Sequence, residues 1–330
     1  MTAPWRILSL PPIAEEVVRR LLEPLGDAAE VAFPQARDRD ALLPALAAAD
    51  IVIADFSGQL ALDADAVRAA PRLAFVQMPA VGTDSLDLAA LTEAGVPVAN
   101  AAGFNARGVA EWAVGASFAL CRHLAWADRG VRAGGWPQAD VIARRPREIH
   151  SQRVGIVGFG AIGAETARLF AALGCAVSYW TRRPRPEAAA RYRELDDLLA
   201  TSDIVVLALP LTDETRGLIG PERLALLPEG ALLVNVARGG IVPDDAIVAA
   251  LESGRLAGAA LDVFDEEPLP EGHPLRAQED VLLSPHAAGA SIQSQLNLVS
   301  FVRDNVTAAV QGRDVQNVVN GMSPQVTRRS

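Results

Sequence analysis

The stretch RVGIVGFGAIGAETARLF at residues 153–170 decides the fold of the second half of the chain. An apolar run of strand length leads into three glycines with the spacing G-x-G-x-x-G, and an amphipathic helical pattern follows. In such a strand–turn–helix the first glycine permits the tight turn, the second lets a diphosphate approach the backbone, and the third lets helix and strand pack closely. The N–H groups at the helix start favour phosphate. The alternative interpretation is an ordinary glycine-rich turn. We expect a dinucleotide to contact the backbone of Gly158, Gly160, Ala161, Ile162 and Gly163.

Apolar runs alternate with helical patterns on both sides of this stretch. Strands are predicted after it at 175–180, 203–208, 231–236, 257–262 and 280–283, and before it at 5–10, 29–33, 50–54, 73–77 and 96–99. Strands that alternate with helices predict parallel sheets. Helices are also expected over 107–126 and over 289–311. The polar segment 132–150 has weak periodicity and predicts a connector or an arm.

The composition restricts the class of protein. The 330 residues suit one large or two ordinary domains, and a net charge of −10 disfavours nucleic acid and anionic membranes as partners. Cys121 and Cys175 lie in apolar stretches, so we expect buried free thiols and no metal site. No signal peptide and no apolar run of membrane-spanning length is found, so a cytoplasmic location is expected. The chain has no lysine, which excludes a Walker A loop and Schiff-base chemistry.

The residues after the second strand of the dinucleotide fold indicate which cofactor is used. An enzyme that uses NAD usually has Asp or Glu here, about 20 residues beyond the glycines, to bind the adenosine ribose. This chain has Thr181, Arg182 and Arg183 instead. Arginine side chains bind a 2′-phosphate, which a carboxylate would repel. The sequence therefore favours NADP over NAD. If these arginines are only a solvated loop, the enzyme uses either cofactor.

Three polar residues follow three of the later strands, where the carboxyl ends of parallel strands converge on the cofactor crevice. They are Arg238, Glu267 and His286. Hydride transfer to a ketone leaves an oxyanion, which a histidine can protonate near neutral pH. Glu267 would orient the ring, and Arg238 would hold a substrate carboxylate and polarise the carbonyl. Taken alone, Arg238 could be a surface charge and His286 a structural histidine, and Glu267 in its acidic stretch is more typical of a solvated turn. Asp262 either accepts a hydrogen bond from the nicotinamide carboxamide or caps its strand.

At these residues the chain resembles the D-isomer-specific 2-hydroxyacid dehydrogenase family. The resemblance extends from about Phe75 to Ser291 and rests on the motifs VGIVGFGAIG, LALPLTDETRGLIG, LLVNVARGGIV, AGAALDVFDEEP and LSPHAAGAS. It implies an α/β protein with two Rossmann-like or flavodoxin-like domains built on parallel sheets. A nucleotide-binding domain, 101–287, would be inserted into a discontinuous substrate domain formed by 1–100 and 288–330. It also implies a homodimer to which region 105–150 contributes.

The resemblance also implies further site residues. Substrate contacts are expected at Ala80, Val81 and Gly82, in addition to Arg238 and His286. Cofactor contacts are expected at Leu209, Pro210, Thr215, Val236, Ala237, Arg238, Asp262, His286 and Ala288.

The function that the resemblance implies is reduction of a small 2-oxo acid, of the glyoxylate or hydroxypyruvate type, to the D-2-hydroxy acid. The uncharged run 78–81 favours a small or apolar R group over a phosphorylated one. One alternative is a nucleotide-sensing scaffold similar to the CtBP-type corepressors, but the long disordered tail and basic run of such proteins are missing. Another is a protein that binds the cofactor without catalysis, which the intact trio disfavours.

Overall fold

The computed structural model describes residues 3–185 and 190–329. Its strands, in chain order, are β1 (Trp5–Ser9), β2 (Ala29–Ala32), β3 (Ile51–Ile53), β4 (Phe75–Gln77), β5 (Val98–Ala99), β6 (Arg153–Val157), β7 (Ala176–Trp180), β8 (Arg191–Tyr192), β9 (Ile204–Leu207), β10 (Ala231–Asn235), β11 (Leu256–Leu261) and β12 (Val281–Leu283). Its α-helices are α1 (Glu15–Leu22), α2 (Arg39–Leu46), α3 (Ala64–Arg68), α4 (Leu88–Glu93), α5 (Ala106–Cys121), α6 (Leu124–Arg132), α7 (Gln138–Ala143), α8 (Ala161–Ala172), α9 (Leu195–Ala200), α10 (Pro221–Leu224), α11 (Asp244–Glu252) and α12 (Ile292–Val310).

The chain divides into two compact units. The first combines the residues up to Phe104 with those from Ile292 onward, and the second is Asn105–Ser291. The limits expected from the sequence, at 100 and 287, each lie four residues earlier. The assignment of the two units to substrate and to nucleotide stays a prediction at this point.

The first unit is built on a five-stranded parallel sheet of the order β2-β1-β3-β4-β5. This is a doubly wound order, in which helices cover both faces. Leu8, Val52 and Val76 are buried on one face, and Ile7, Ile51 and Phe75 on the other. The last helix, α12, buries its own apolar side chains against the second face, which explains why a chain segment so distant in sequence belongs to this unit.

The second unit is built on a seven-stranded parallel sheet of the order β12-β11-β10-β9-β6-β7-β8. The chain leaves β6 toward β7 on one side and later pairs β9 on the other, so the order reverses beside β6. In open parallel sheets, ligands bind at the carboxyl ends of the strands at such a reversal. The predicted parallel architecture is confirmed. Strand β8 was not predicted, because two residues give no apolar run.

The structure corrects the expected helix over 107–126. Helix α5 ends at Cys121, and α6 begins at Leu124 after His123, whose φ of 51° is left-handed. The segment expected as a connector or an arm contains α7. No residue of α6 or α7 is buried, so neither helix contributes a buried side chain to the core of this unit. Cys121 and Cys175 are buried free thiols, as expected.

The part of the chain that the structure describes contains no helix that is both long and apolar enough to cross a membrane.

Candidate active site

The glycine turn lies between β6 and α8, beside the reversal in strand order. Gly158 has a φ of +96°, and a Cβ there would overlap the carbonyl of Ala208 in the neighbouring strand end. A Cβ on Gly163 would overlap the carbonyl oxygen of Gly158. Gly160 differs, because a Cβ there would meet no atom within 4 Å. Gly158 and Gly163 therefore close the turn, and Gly160 leaves open space in front of the first turn of α8.

This open space fits a dinucleotide diphosphate. Helix α8 has twelve residues, and its N-cap residue is Gly160. No side chain caps this end of the helix. The first N–H groups of a helix have no carbonyl partner within the helix, and its dipole favours a negative charge there. Ala161 is exposed and Ile162 is half-buried at this end. The turn thus offers donors and space together, which is what a diphosphate requires.

Tyr179 shapes the loop after β7 and was missed by the sequence analysis. Its ring stacks on Phe159 of the glycine turn, with ring centroids 3.9 Å apart. Its hydroxyl donates to the carbonyl of Arg185 (2.8 Å) and accepts from the Arg185 N–H (2.9 Å). Strand periodicity alone identified Tyr179 as an ordinary strand residue. Its ring therefore contacts the predicted diphosphate loop, and its hydroxyl fixes the loop that follows the predicted ribose-binding residues.

The predicted ribose-binding residues are at the surface. Thr181 is half-buried, whereas Arg182 and Arg183 are exposed. The guanidinium of Arg182 lies 3.6 Å from the Glu214 carboxylate, with both side chains about two-thirds exposed or more. An exposed ion pair of this kind is weak, so another anion can replace the Glu214 carboxylate as the partner of Arg182.

Arg238, Glu267 and His286 line one pocket of about 590 Å³ in the second unit. They come from the ends of β10, β11 and β12, as the convergence of parallel strands predicts. A second pocket of about 510 Å³, with mainly apolar walls, also contains Glu267 and His286. Phe264, Glu267 and His286 therefore form the wall that the two pockets share.

His286 and Glu267 form a direct hydrogen bond. The His286 Nδ1 lies 2.7 Å from Glu267 Oε2, and the side chains are 48% and 36% exposed. The other carboxylate oxygen accepts from the Phe264 N–H at 3.1 Å. With a carboxylate at Nδ1, that nitrogen carries the hydrogen, so Nε2 is the atom that can exchange a proton with a ligand.

Asp262 holds the loop that carries His286. Its side chain is buried, and its two oxygens accept from the N–H groups of Ala287 (2.8 Å) and Ala288 (2.9 Å). Its carbonyl accepts from the His286 N–H at 2.8 Å. His286 has a left-handed φ of 54°, which these bonds stabilise. Of the two interpretations of Asp262, the structure supports the cap; contact with a carboxamide stays a prediction.

Arg238 is half-buried, and its loop is tied to β10. Asn235 accepts from the Ala237 N–H (3.0 Å) and donates to the Arg238 carbonyl (3.1 Å). The Arg238 guanidinium donates to the carbonyl of Ala237 at 2.8 Å. Val236 and Ala237 are buried under this turn. The loop conformation is therefore set by a buried asparagine, which the sequence analysis did not single out.

Three of the predicted cofactor contacts lie in the loop after β9. Leu209 and Thr215 are buried. The Thr215 hydroxyl donates to the Pro210 carbonyl (2.8 Å) and accepts from the Thr212 N–H (2.7 Å). This hydroxyl stabilises the loop, and a direct contact between it and a cofactor stays a prediction.

The predicted substrate loop belongs to the first unit. Ala80, Val81 and Gly82 follow β4 and are half-buried. The Asn100 side chain donates to the Val81 carbonyl at 2.6 Å. A pocket of about 380 Å³ in this unit is lined in part by Phe56, Met78 and Gly82. The loop is thus held from one side and open on another.

Comparison with known proteins places this chain among sequences of known function. A family model described as the NAD binding domain of D-isomer specific 2-hydroxyacid dehydrogenases matches residues 114–288. A glyoxylate reductase of Aeropyrum pernix is 40% identical over 267 residues, covering 78% of this chain and 80% of that protein. The D-mandelate dehydrogenase of Rhodotorula graminis superposes with a TM-score of 0.88 at 26% identity, over 99% of this chain and all of that chain. A glyoxylate reductase of Paecilomyes thermophila gives a TM-score of 0.86 at 26% identity, over 96% and 99%.

Proposed function

The chain belongs to the D-isomer specific 2-hydroxyacid dehydrogenase family, and from this premise we propose that it reduces a small 2-oxo acid to the D-2-hydroxy acid at the Arg238–Glu267–His286 pocket. It is an oxidoreductase with a nicotinamide-binding domain. The observation that carries the proposal is the 2.7 Å bond between His286 Nδ1 and Glu267 Oε2 at the wall of a pocket that also contains Arg238.

Each of the three side chains has a defined role in this proposal. The reduced nicotinamide, when bound, supplies the hydride. The Arg238 guanidinium pairs with the substrate carboxylate and polarises the keto oxygen. His286 gives the proton on Nε2 to the oxygen that becomes the hydroxyl, and is left neutral. Glu267 keeps the ring oriented through Nδ1 and stabilises the charged ring before the transfer. The net change is one hydride to carbon and one proton to oxygen.

We propose NADP as the preferred cofactor, with NAD as the less efficient one. The support is the absence of a carboxylate at the end of β7 and the exposure of Arg182 and Arg183. Replacing both with alanine should raise the KM for NADPH by about 100-fold, since two charge-assisted bonds at the lower end of about 1.5–3 kcal/mol each contribute about 3 kcal/mol together. The KM for NADH should stay unchanged. Arg193→Ala is the matched control, because that side chain already pairs with Asp197 at 2.7 Å. Equal losses for the two cofactors would contradict the proposal.

For the substrate we propose a glyoxylate- or hydroxypyruvate-type acid with a small R group. Curated relatives named glyoxylate reductase support this class, and the apolar run before Gly82 disfavours a phosphorylated group. The similarity to a D-mandelate dehydrogenase keeps an aromatic R group as the second candidate. In the first unit, the pocket beside Gly82 is lined in part by Phe56 and Met78, and these apolar side chains suit either group.

We also propose a homodimer formed through α6 and α7. Large apolar side chains on and between these helices are exposed, including Leu124 (54%), Val131 (49%), Trp136 (80%) and Ile142 (68%). Large exposed apolar side chains indicate a protein partner, and a second copy of the same chain fits this role because most soluble oligomers are symmetric homo-oligomers. The cytoplasmic location and the absence of a nucleic-acid partner stay predictions.

The direct experiment is a steady-state assay of the purified protein. Loss of reduced-nicotinamide absorbance is followed with NADPH and with NADH, each against glyoxylate, hydroxypyruvate, pyruvate, branched 2-oxo acids and phenylpyruvate. Turnover highest for glyoxylate or hydroxypyruvate supports the proposal, and turnover highest for phenylpyruvate replaces the substrate class. Tight cofactor binding without turnover of any acid would refute the reductase and favour the nucleotide-sensing scaffold.

A further inference from the structure

We propose that Asp265 is a positioning residue that braces the loop carrying Arg238 against the loop carrying Glu267. This inference rests on the proposed function, because it assigns Asp265 a role through those two residues. Asp265 lies two residues before Glu267 and is part of an acidic stretch, Asp265-Glu266-Glu267, that the sequence suggests is a solvated turn.

The brace consists of two hydrogen bonds from one loop to the carboxylate of the other. Asp265 Oδ1 accepts from the Gly240 N–H at 2.6 Å, and Oδ2 accepts from the Asp244 N–H at 3.0 Å. Gly240 lies two residues after Arg238. The carboxylate therefore spans the chain from the Arg238 turn to the first residue of α11, and both bonds are charge-assisted.

The contact is reciprocal. The Asp265 N–H donates to Asp244 Oδ2 at 3.2 Å, and this buried oxygen lies 3.5 Å from His273 Nε2. Helix α11 has Pro243 at its N-cap position and no side-chain cap of its own. Asp265 thus supplies from another loop the acceptor that the helix start lacks.

The two loops are also in direct backbone contact. A Cβ on Gly239 would overlap the carbonyl of Phe264. The same Phe264 N–H donates to Glu267 Oε1 at 3.1 Å. A shift of the 238–243 turn relative to 264–267 therefore changes the distance between the Arg238 and Glu267 side chains. A misplacement of about 1 Å at a reacting site costs about 100-fold in rate.

The test compares Asp265→Ala, which removes both acceptors, with Asp265→Asn, which keeps one acceptor oxygen. Glu266→Ala is the matched control, because it removes a neighbouring exposed charge that makes no hydrogen bond within the described part of the chain. The readouts are kcat and KM for the 2-oxo acid, the Kd of the reduced cofactor, and amide hydrogen exchange of the 238–246 segment.

We expect Asp265→Ala to lower kcat/KM for the acid by about 10-fold to 100-fold and to speed exchange at Gly240, with the cofactor Kd unchanged. Asp265→Asn should lie between wild type and Asp265→Ala. Equal kcat/KM for Asp265→Ala and Glu266→Ala overturns the proposal, and so does a parallel loss of cofactor affinity, which indicates general disruption. If the wild type reduces no 2-oxo acid, the proposed function fails, and unchanged exchange at Gly240 would then overturn the brace separately.

Discussion

Replacing Glu267 with glutamine tests the proposed proton donor most directly. The change keeps the shape of the side chain, so the bond from the Phe264 N–H (3.1 Å) can persist. It removes the negative charge 2.7 Å from His286 Nδ1. A hydrogen bond to a charged group contributes about 1.5–3 kcal/mol. Because the two side chains are 48% and 36% exposed, the lower part of this range applies, about 1.5–2 kcal/mol. That energy corresponds to a loss of about 10-fold to 30-fold in kcat/KM.

The assay is the initial rate of reduced-nicotinamide oxidation with the best 2-oxo acid, measured together with the cofactor Kd. We expect the loss in kcat/KM with no change in cofactor affinity, since the glycine turn is formed by other residues. Glu266→Gln removes the same charge one residue away and should retain wild-type rates. If Glu267→Gln and Glu266→Gln behave alike, then the His286–Glu267 bond does not contribute to catalysis and the assigned roles are wrong.

Further predictions concern the cofactor turn, acid stability and assembly. Gly160→Ala should fold normally but weaken cofactor binding by about tenfold or more, whereas Gly163→Ala should destabilise the fold by about 3 kcal/mol; thermal unfolding and cofactor titration separate the two. Burial alone would raise the pKa of Asp50, but hydrogen bonds, among them one from Arg328, lower it below its usual value. Its ionised form therefore stabilises the fold above about pH 4, and this contribution is lost as the pH falls through the lowered pKa. The free energy of unfolding of Asp50→Asn should be lower by about 3 kcal/mol at pH 7. In urea titrations this variant should also lose less stability than the wild type between pH 4 and lower pH. Trp136→Ser should weaken the proposed dimer by about 30-fold in sedimentation equilibrium, and an unchanged mass would exclude this surface.

Much of the fold could be predicted because its signals are local. The apolar runs that became β6, β9, β10 and β11 are strand-sized and bounded by turns, so their periodicity needs no knowledge of partners. The prediction was wrong at the end of α5, where the sequence pattern does not show that the helix is interrupted. The break between α5 and α6 at His123 depends on one left-handed residue, and the helical apolar pattern that continues in α6 does not reveal it.

The candidate site divides in the same way. Its members were found from residue type at strand ends, and parallel strands then require their loops to lie at one edge. The residues that hold them were not found. Asp265 bonds to an amide 25 residues away, and Asn235 was hidden inside an apolar strand motif. Such roles depend on which backbone N–H faces the side chain, and no spacing in the sequence encodes that.

By itself, then, the sequence determined two parallel β-α units and a glycine-rich turn at 158–163, and it predicted a dinucleotide site and the residues of a 2-oxo acid reductase, because each of these signals lies in local periodicity or in short motifs. Only the tertiary structure decided that His286 faces Glu267 at hydrogen-bond distance, that the buried carboxylate of Asp262 holds the His286 loop, and that Gly160 alone among the three glycines of the turn faces open space. These are relations between atoms far apart along the chain, and they exist only once the strands have paired and brought their loops together.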